Sequence, residues 1–165
     1  MKTRWIALSL LAFAAAAQAD VKVNFVHPEK FSDTKDNWGF TKPDALKDIE
    51  AHLVAQLAKA QPGRDITVDV TDVDLAGEVE HVGHRAEWLR VMRSVTSPAM
   101  ELKYEVRDGG KVVAQGQAKL RDMDYQSSFN NYSNGDPLRY EKRMIDRWVQ
   151  REFSPAVAKA EAASR

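Results

Sequence analysis

Ile66, Val68 and Val70 alternate with Thr67, Asp69 and Thr71, the period-two pattern of a strand that turns one face to a core and the other to water. The next apolar residues, Val73 and Leu75, fall on odd positions, so the strand must bulge or end near Asp72 before Gly77 releases the chain. Upstream, Val21, Val23 and Phe25 predict a short strand stopped by Pro28. Pro43 then suits a first helical turn, and Leu46, Ile49, Leu53 and Leu57 repeat at helical spacing until Gln61-Pro62-Gly63. Downstream, Trp88 to Val95 has strand character. The strongest β signal follows Pro98, where Met100, Leu102, Tyr104 and Val106 alternate with Glu101, Lys103, Glu105 and Arg107. Asp108-Gly109-Gly110 turns this strand into Val112, Ala114, Gly116, Ala118 and Leu120, whose small side chains leave room for a helix to approach. Asp136-Pro137 then marks a helix start. In that last helix Leu138, Ile145, Trp148, Val149 and Phe153 form the apolar stripe, and Glu141, Lys142, Arg143, Arg147 and Arg151 fall to the wet face.

The order strand, helix, several strands, helix predicts an α+β fold: a mostly antiparallel sheet of four to five strands with two helices packed on one face. Lys2 and Arg4 precede an apolar run from Trp5 to Ala17, and Ala17-Gln18-Ala19 has the small-x-small form of a signal-peptidase cut. Residues 1–19 therefore read as a cleaved signal peptide, residues 20–153 as a single domain and residues 154–165 as a flexible Ala-rich tail. The apolar run is short of the roughly 20 residues of a spanning helix, so no stable membrane insertion is expected after cleavage.

The 24 basic and 24 acidic residues balance, which lacks the basic excess of a nucleic-acid binder. Loss of Lys2 and Arg4 with the signal leaves a slight acidic excess. The chain has no cysteine, so it has neither a thiol nucleophile nor disulfides, and packing must supply its stability.

Two stretches carry candidate metal or acid/base chemistry. Asp69, Asp72, Asp74 and Glu78 cluster at the register slip, but their spacing departs from the twelve-residue calcium loop, and acidic side chains at a turn commonly accept backbone hydrogen bonds. His81-x-x-His84, beside Glu78 and Glu80, offers imidazoles suited to zinc, copper or nickel, yet reads as loop and lacks the third ligand of a catalytic zinc site. Asp72, Asp74 and His81 are the candidate catalytic residues of a small hydrolase. A serine nucleophile elbow and a phosphate-cradling glycine loop are absent, and no cofactor is predicted.

Two long polar loops hold the aromatic residues. Trp38 and Phe40 lie in one, and Tyr125, Phe129 and Tyr132 in the other, among Asn, Asp and Ser side chains suited to a sugar or a peptide. The competing assignment is that these rings seal the core edge beneath the loops.

Several short motifs, taken in order, resemble one known family. They are Val26-His27-Pro28-Glu29-Lys30-Phe31-Ser32-Asp33, Asp72-Val73-Asp74-Leu75-Ala76-Gly77, Met100-Glu101-Leu102-Lys103-Tyr104 after Pro98, the Gly-Gly hairpin, Leu120-Arg121-Asp122-Met123 and Tyr140-Glu141-Lys142. Together they are similar to the secreted bacterial family catalogued as domain of unknown function 3016. The resemblance implies a signal peptide and a periplasmic or secreted domain, and carries no activity or cofactor with it. The resulting expectation is a non-enzymatic binding or accessory protein of the cell envelope, with an envelope ligand or protein as its partner; the hydrolase is the alternative. Oligomeric state is not legible in the sequence.

Overall fold

The computed structural model describes residues 20–34, 43–83 and 87–153. The predicted signal, the tail, Trp38, Phe40 and His84 lie outside these residues. The elements run β1 (Val21–Phe25), a short 3-10 turn (Pro28–Lys30), α1 (Pro43–Ala60), β2 (Asp65–Asp74), β3 (Glu78–Val82), β4 (Glu87–Val91), β5 (Ala99–Asp108), β6 (Lys111–Arg121) and α2 (Arg139–Glu152).

The α+β architecture follows the expected order, and the main sheet is mostly antiparallel with one parallel pair. The main sheet has four strands in the order β1-β2-β5-β6, and β1 pairs parallel with β2. The sheet is therefore mixed. The cause is α1: a helix between two neighbouring strands carries the chain back to the end where the first strand began, which makes the pair parallel. The strand character after Glu87 is confined to β4, which pairs antiparallel with β3 in a separate two-stranded sheet.

The register slip in β2 is a bulge. Val70 faces Leu102 and Asp72 faces Glu101, so Thr71 is the extra residue. The insertion keeps apolar side chains on the core face, and Ile66, Val68, Val70, Val73 and Leu75 are all buried. They pack with Met100, Leu102 and Val106 of β5 against Leu46, Ile49, Leu53 and Leu57 of α1 and Ile145, Trp148 and Val149 of α2. The opposite sheet face carries cross-strand polar pairs such as Asn24 with Asp69 and Lys119 with Glu101.

α2 approaches β6 as its small residues predict, and Gly116 among them also makes room for a ring. A Cβ on Gly116 would lie 2.6 Å from the Tyr104 hydroxyl and 2.8 Å from its ring carbons. Tyr104 cannot yield easily, because it sits edge-on to Trp148 and Phe153 and its hydroxyl donates to Glu152.

Two charged residues assigned to the wet face of α2 are buried. Glu141 is 1% exposed and Arg143 6%. Glu141 Oε1 accepts the Ala76 N–H at 2.7 Å, tying α2 to the end of β2, while Oε2 has no hydrogen-bond partner. Burial pushes this carboxyl above its ordinary value, against the opposing pull of the Ala76 N–H and the Arg90 charge. Arg143 is a clamp. Its Nη2 donates to Asp122 Oδ2 at 2.7 Å and to Tyr125 O at 2.9 Å, and its Nη1 to the carbonyls of Ser128 and Phe129 at 2.6 and 3.0 Å. One guanidinium thus holds the loop after β6 against α2.

Gly116→Ala should lower the unfolding free energy by about 1–3 kcal/mol in urea denaturation, as overpacking does. Gln117→Ala, on the outward face, should stay within about 0.5 kcal/mol of wild type. Glu141 yields a pH-dependent prediction. Its folded value is raised, so its stabilising contribution is full below the ordinary value of 4.5 and is lost as pH rises through the raised value. Wild type should therefore lose stability relative to Glu141→Gln as pH rises, read as the difference between their denaturation midpoints.

Candidate functional site

The acidic turn is built as a latch. Both oxygens of Asp72 are engaged by Ser32, one by its backbone N–H and one by its hydroxyl, each at 2.7 Å. Asp33 exchanges backbone hydrogen bonds with Val73 and Leu75, and its side chain pairs with Arg90 at 2.7 Å. Arg90 also donates to the carbonyl of Gly77 at 2.8 Å. Gly77 has φ +77°, and a Cβ there would lie 2.7 Å from Val91 O, so both the backbone and the space demand glycine. Asp74 is held above its ordinary value by burial and by the neighbouring charges of Asp33 and Asp72. These contacts fasten the β3–β4 hairpin to the main sheet. His81 lies on that hairpin with its ring 3.6 Å from that of Trp88. Among the described residues no group of three or more His, Asp or Glu side chains is placed to hold a metal.

A different set of residues converges on α2. Arg143, Asp146, Arg147 and Gln150 follow at i, i+3, i+4 and i+7, so they form one polar stripe along the helix. The loop held by Arg143 lies over that stripe. Asn130 Nδ2 donates to Arg139 O at 3.0 Å and Asn130 Oδ1 accepts the Tyr132 N–H at 3.0 Å, which turns the loop so that Tyr132 meets α2. The Tyr132 hydroxyl donates to Asp146 Oδ2 at 2.6 Å, and His52 Nε2 of α1 lies 2.8 Å from Asp146 Oδ1. A carboxylate only accepts, so His52 carries its proton on Nε2 towards Asp146. Burial, then the hydrogen bond to Asp146 and its charge, push the Tyr132 hydroxyl above its ordinary range, so it stays protonated and acts as a donor. Asp136 anchors the end of the loop, accepting the Leu138 N–H at 2.9 Å and Lys142 Nζ at 2.6 Å. Burial works to raise its carboxyl, but those two bonds outweigh burial and hold it below the ordinary value.

Between loop and helix lies a pocket of about 160 Å³, lined by Phe129, Asn131 and Tyr132 from the loop and by the α2 stripe. Phe129 stands at its rim with 85% of its surface exposed. The side-chain amides of Asn131 and Gln150 are exposed and make no hydrogen bond among the described residues. Arg147 is held only loosely to Asp122, at 3.3 Å, and is 46% exposed.

The structure thus separates the loop aromatics. Phe129 and Tyr132 line the pocket. Tyr125 is 1% exposed, its hydroxyl donates to Arg93 O at 2.7 Å and its ring meets Tyr140 edge-on, so it supports the loop from beneath and presents no ring to a ligand. Trp38, Phe40 and His84 fall outside the described residues. His52, Asp146 and Gln150 were missed by sequence reasoning. His52 is a lone polar residue beside Leu53, with no local signal, whereas the α2 stripe had the legible spacing of one helix face.

Among curated protein sequences no match to this chain was found. Three solved structures are similar at low identity. A candidate lipoprotein from Caulobacter crescentus shares 10% identity at a TM-score of 0.40, over 88% of this chain and 92% of its own. PelC from Paraburkholderia phytofirmans, solved as a dodecamer, shares 13% at 0.37, over 85% and 90%. A Xanthomonas campestris protein of the DUF330 family shares 9% at 0.40, over 92% of both chains. The model of one family matches residues 19–151, and the chain belongs to that family, the proteins of unknown function catalogued as DUF3016.

Proposed function

We propose that this protein is exported and serves the cell envelope as a non-enzymatic binding or accessory protein, with the pocket between α2 and the loop after β6 as its ligand site. The observation that carries this reading is the division of labour around the pocket. Arg143, Asp146 and Tyr132 are committed to one another or to backbone, whereas the Phe129 ring and the Asn131 and Gln150 amides are exposed and uncommitted. A large exposed ring beside uncommitted hydrogen-bonding groups has no structural task, and such a combination suits recognition. Export is supported by the basic pair, the apolar run and the Ala17-Gln18-Ala19 cut, whose position coincides with the start of the family match at residue 19. The described residues include no helix long and apolar enough to cross a membrane.

The hydrolase alternative, on Asp72, Asp74 and His81, gains less support: Asp72 is spent on Ser32, His81 is packed on Trp88, and the upward shift of Asp74 comes from burial and the charges of Asp33 and Asp72.

Expressed with its signal in a bacterial host, the protein should be recovered from the periplasm with Asp20 as its first residue, checked by intact-mass spectrometry. Recovery from the cytoplasm at full length would contradict export. Retention on purified envelope sacculi should fall several-fold on Phe129→Ala with the denaturation midpoint unchanged. Undiminished retention would remove the pocket from the reading.

A further inference from the structure

We infer that the ligand of this pocket is a saccharide, bound with one neutral sugar ring lying against Phe129. The inference rests on the reading of the pocket as a ligand site and names the chemistry of what it takes.

Charge is the first constraint. The pocket's cations and anions balance in number: Arg143 and Arg147 both contact Asp122, Arg147 only loosely, and Asp146, bonded to Tyr132 and His52, is the second carboxylate. With two arginines against two carboxylates no net charge is left to select a strongly ionic ligand, and the buried Arg143–Asp122 pair has little attraction to offer a third charge once its own hydrogen bonds are made. The half-exposed Arg147 offers a ligand hydrogen-bond donors. The uncommitted groups are of another kind. Asn131 and Gln150 carry planar amides that both donate and accept, which matches hydroxyl groups that do the same. The outer edge of Arg147 adds donors only.

Shape is the second constraint. The pocket holds about 160 Å³, well under the roughly 300 Å³ at which sites for drug-sized molecules begin. It admits a single ring. Phe129, with 85% of its surface exposed, flanks the opening, and an aromatic face in that position suits the C–H face of a sugar ring. Because the rim opens to solvent beside Phe129, the neighbouring residues of a longer glycan can run outward along the loop. A peptide side chain could fill the same volume, but it would present one or two polar atoms to three donor or acceptor groups and leave the others unpaired.

The test uses the mature protein and a panel of soluble oligosaccharides, the neutral N-acetylglucosamine tetramer and cellotetraose together with the glycan released from purified envelope, with free envelope stem peptides as the comparison. Saturation-transfer NMR should show signals from the ring C–H protons of at least one sugar. Phe129→Ala and Gln150→Ala should each weaken its binding about tenfold in calorimetric titration. Binding of the stem peptides alone, lost on Phe129→Ala, would overturn the saccharide while leaving the pocket as the ligand site. Absence of binding by every sugar and peptide, together with unchanged sacculus retention by Phe129→Ala, would overturn both. A sugar bound equally well by wild type and Phe129→Ala would overturn the assignment to this pocket.

Discussion

The Arg143 guanidinium is the interaction on which the proposed binding face depends. It closes onto Asp122 at the end of β6 and gathers the carbonyls of Tyr125, Ser128 and Phe129, so a loop without regular structure receives four fixed points from one side chain. A buried ion pair gains little net stability by itself, because desolvation offsets its attraction, but removing one partner strands the other and costs about 3–5 kcal/mol. The pair's value lies in position. With Arg143 in place, Phe129 is held at the pocket rim and Tyr132 is carried to Asp146 and thence to His52, which joins the loop to both helices.

The acidic turn that dominates the sequence has the complementary, structural task. The bulge at Thr71 lets β2 keep Val73 and Leu75 in the core, and Asp72 then caps the Ser32 segment while Asp33 engages Arg90. Chain segments meet at this place, and Asp72 supplies the acceptor that the Ser32 N–H needs. Glu141 reaches the same junction from α2 and takes the Ala76 N–H, so the latch and the helix that carries the pocket share one core contact.

Much of the fold was legible from periodicity. The α1 stripe, the β5–β6 hairpin and the β2 slip are local patterns, and each became the element it predicts. The parallel β1–β2 pairing was implied by the helix between them, yet alternation alone carries no strand direction. Glu141 and Arg143 were assigned to water because a helical wheel shows spacing without showing what covers each face; the latch and the loop cover them. The pocket was legible in half. Its loop aromatics stood out by composition, although composition could not separate the buried Tyr125 from the exposed Phe129. The link from His52 to Asp146 spans 94 positions and has no trace in either local pattern.

The central claim, that the Arg143-clamped loop and the α2 stripe form the surface that meets the envelope, is tested most directly by amide chemical-shift mapping. Soluble glycan released from purified envelope is titrated into isotope-labelled mature protein. Shifts should concentrate at residues 129–132 and 146–150, with those of Asp69 and Lys103 on the outward sheet face unmoved. Shifts confined to the His81–Trp88 hairpin or to that outward sheet face would contradict a ligand site at the pocket.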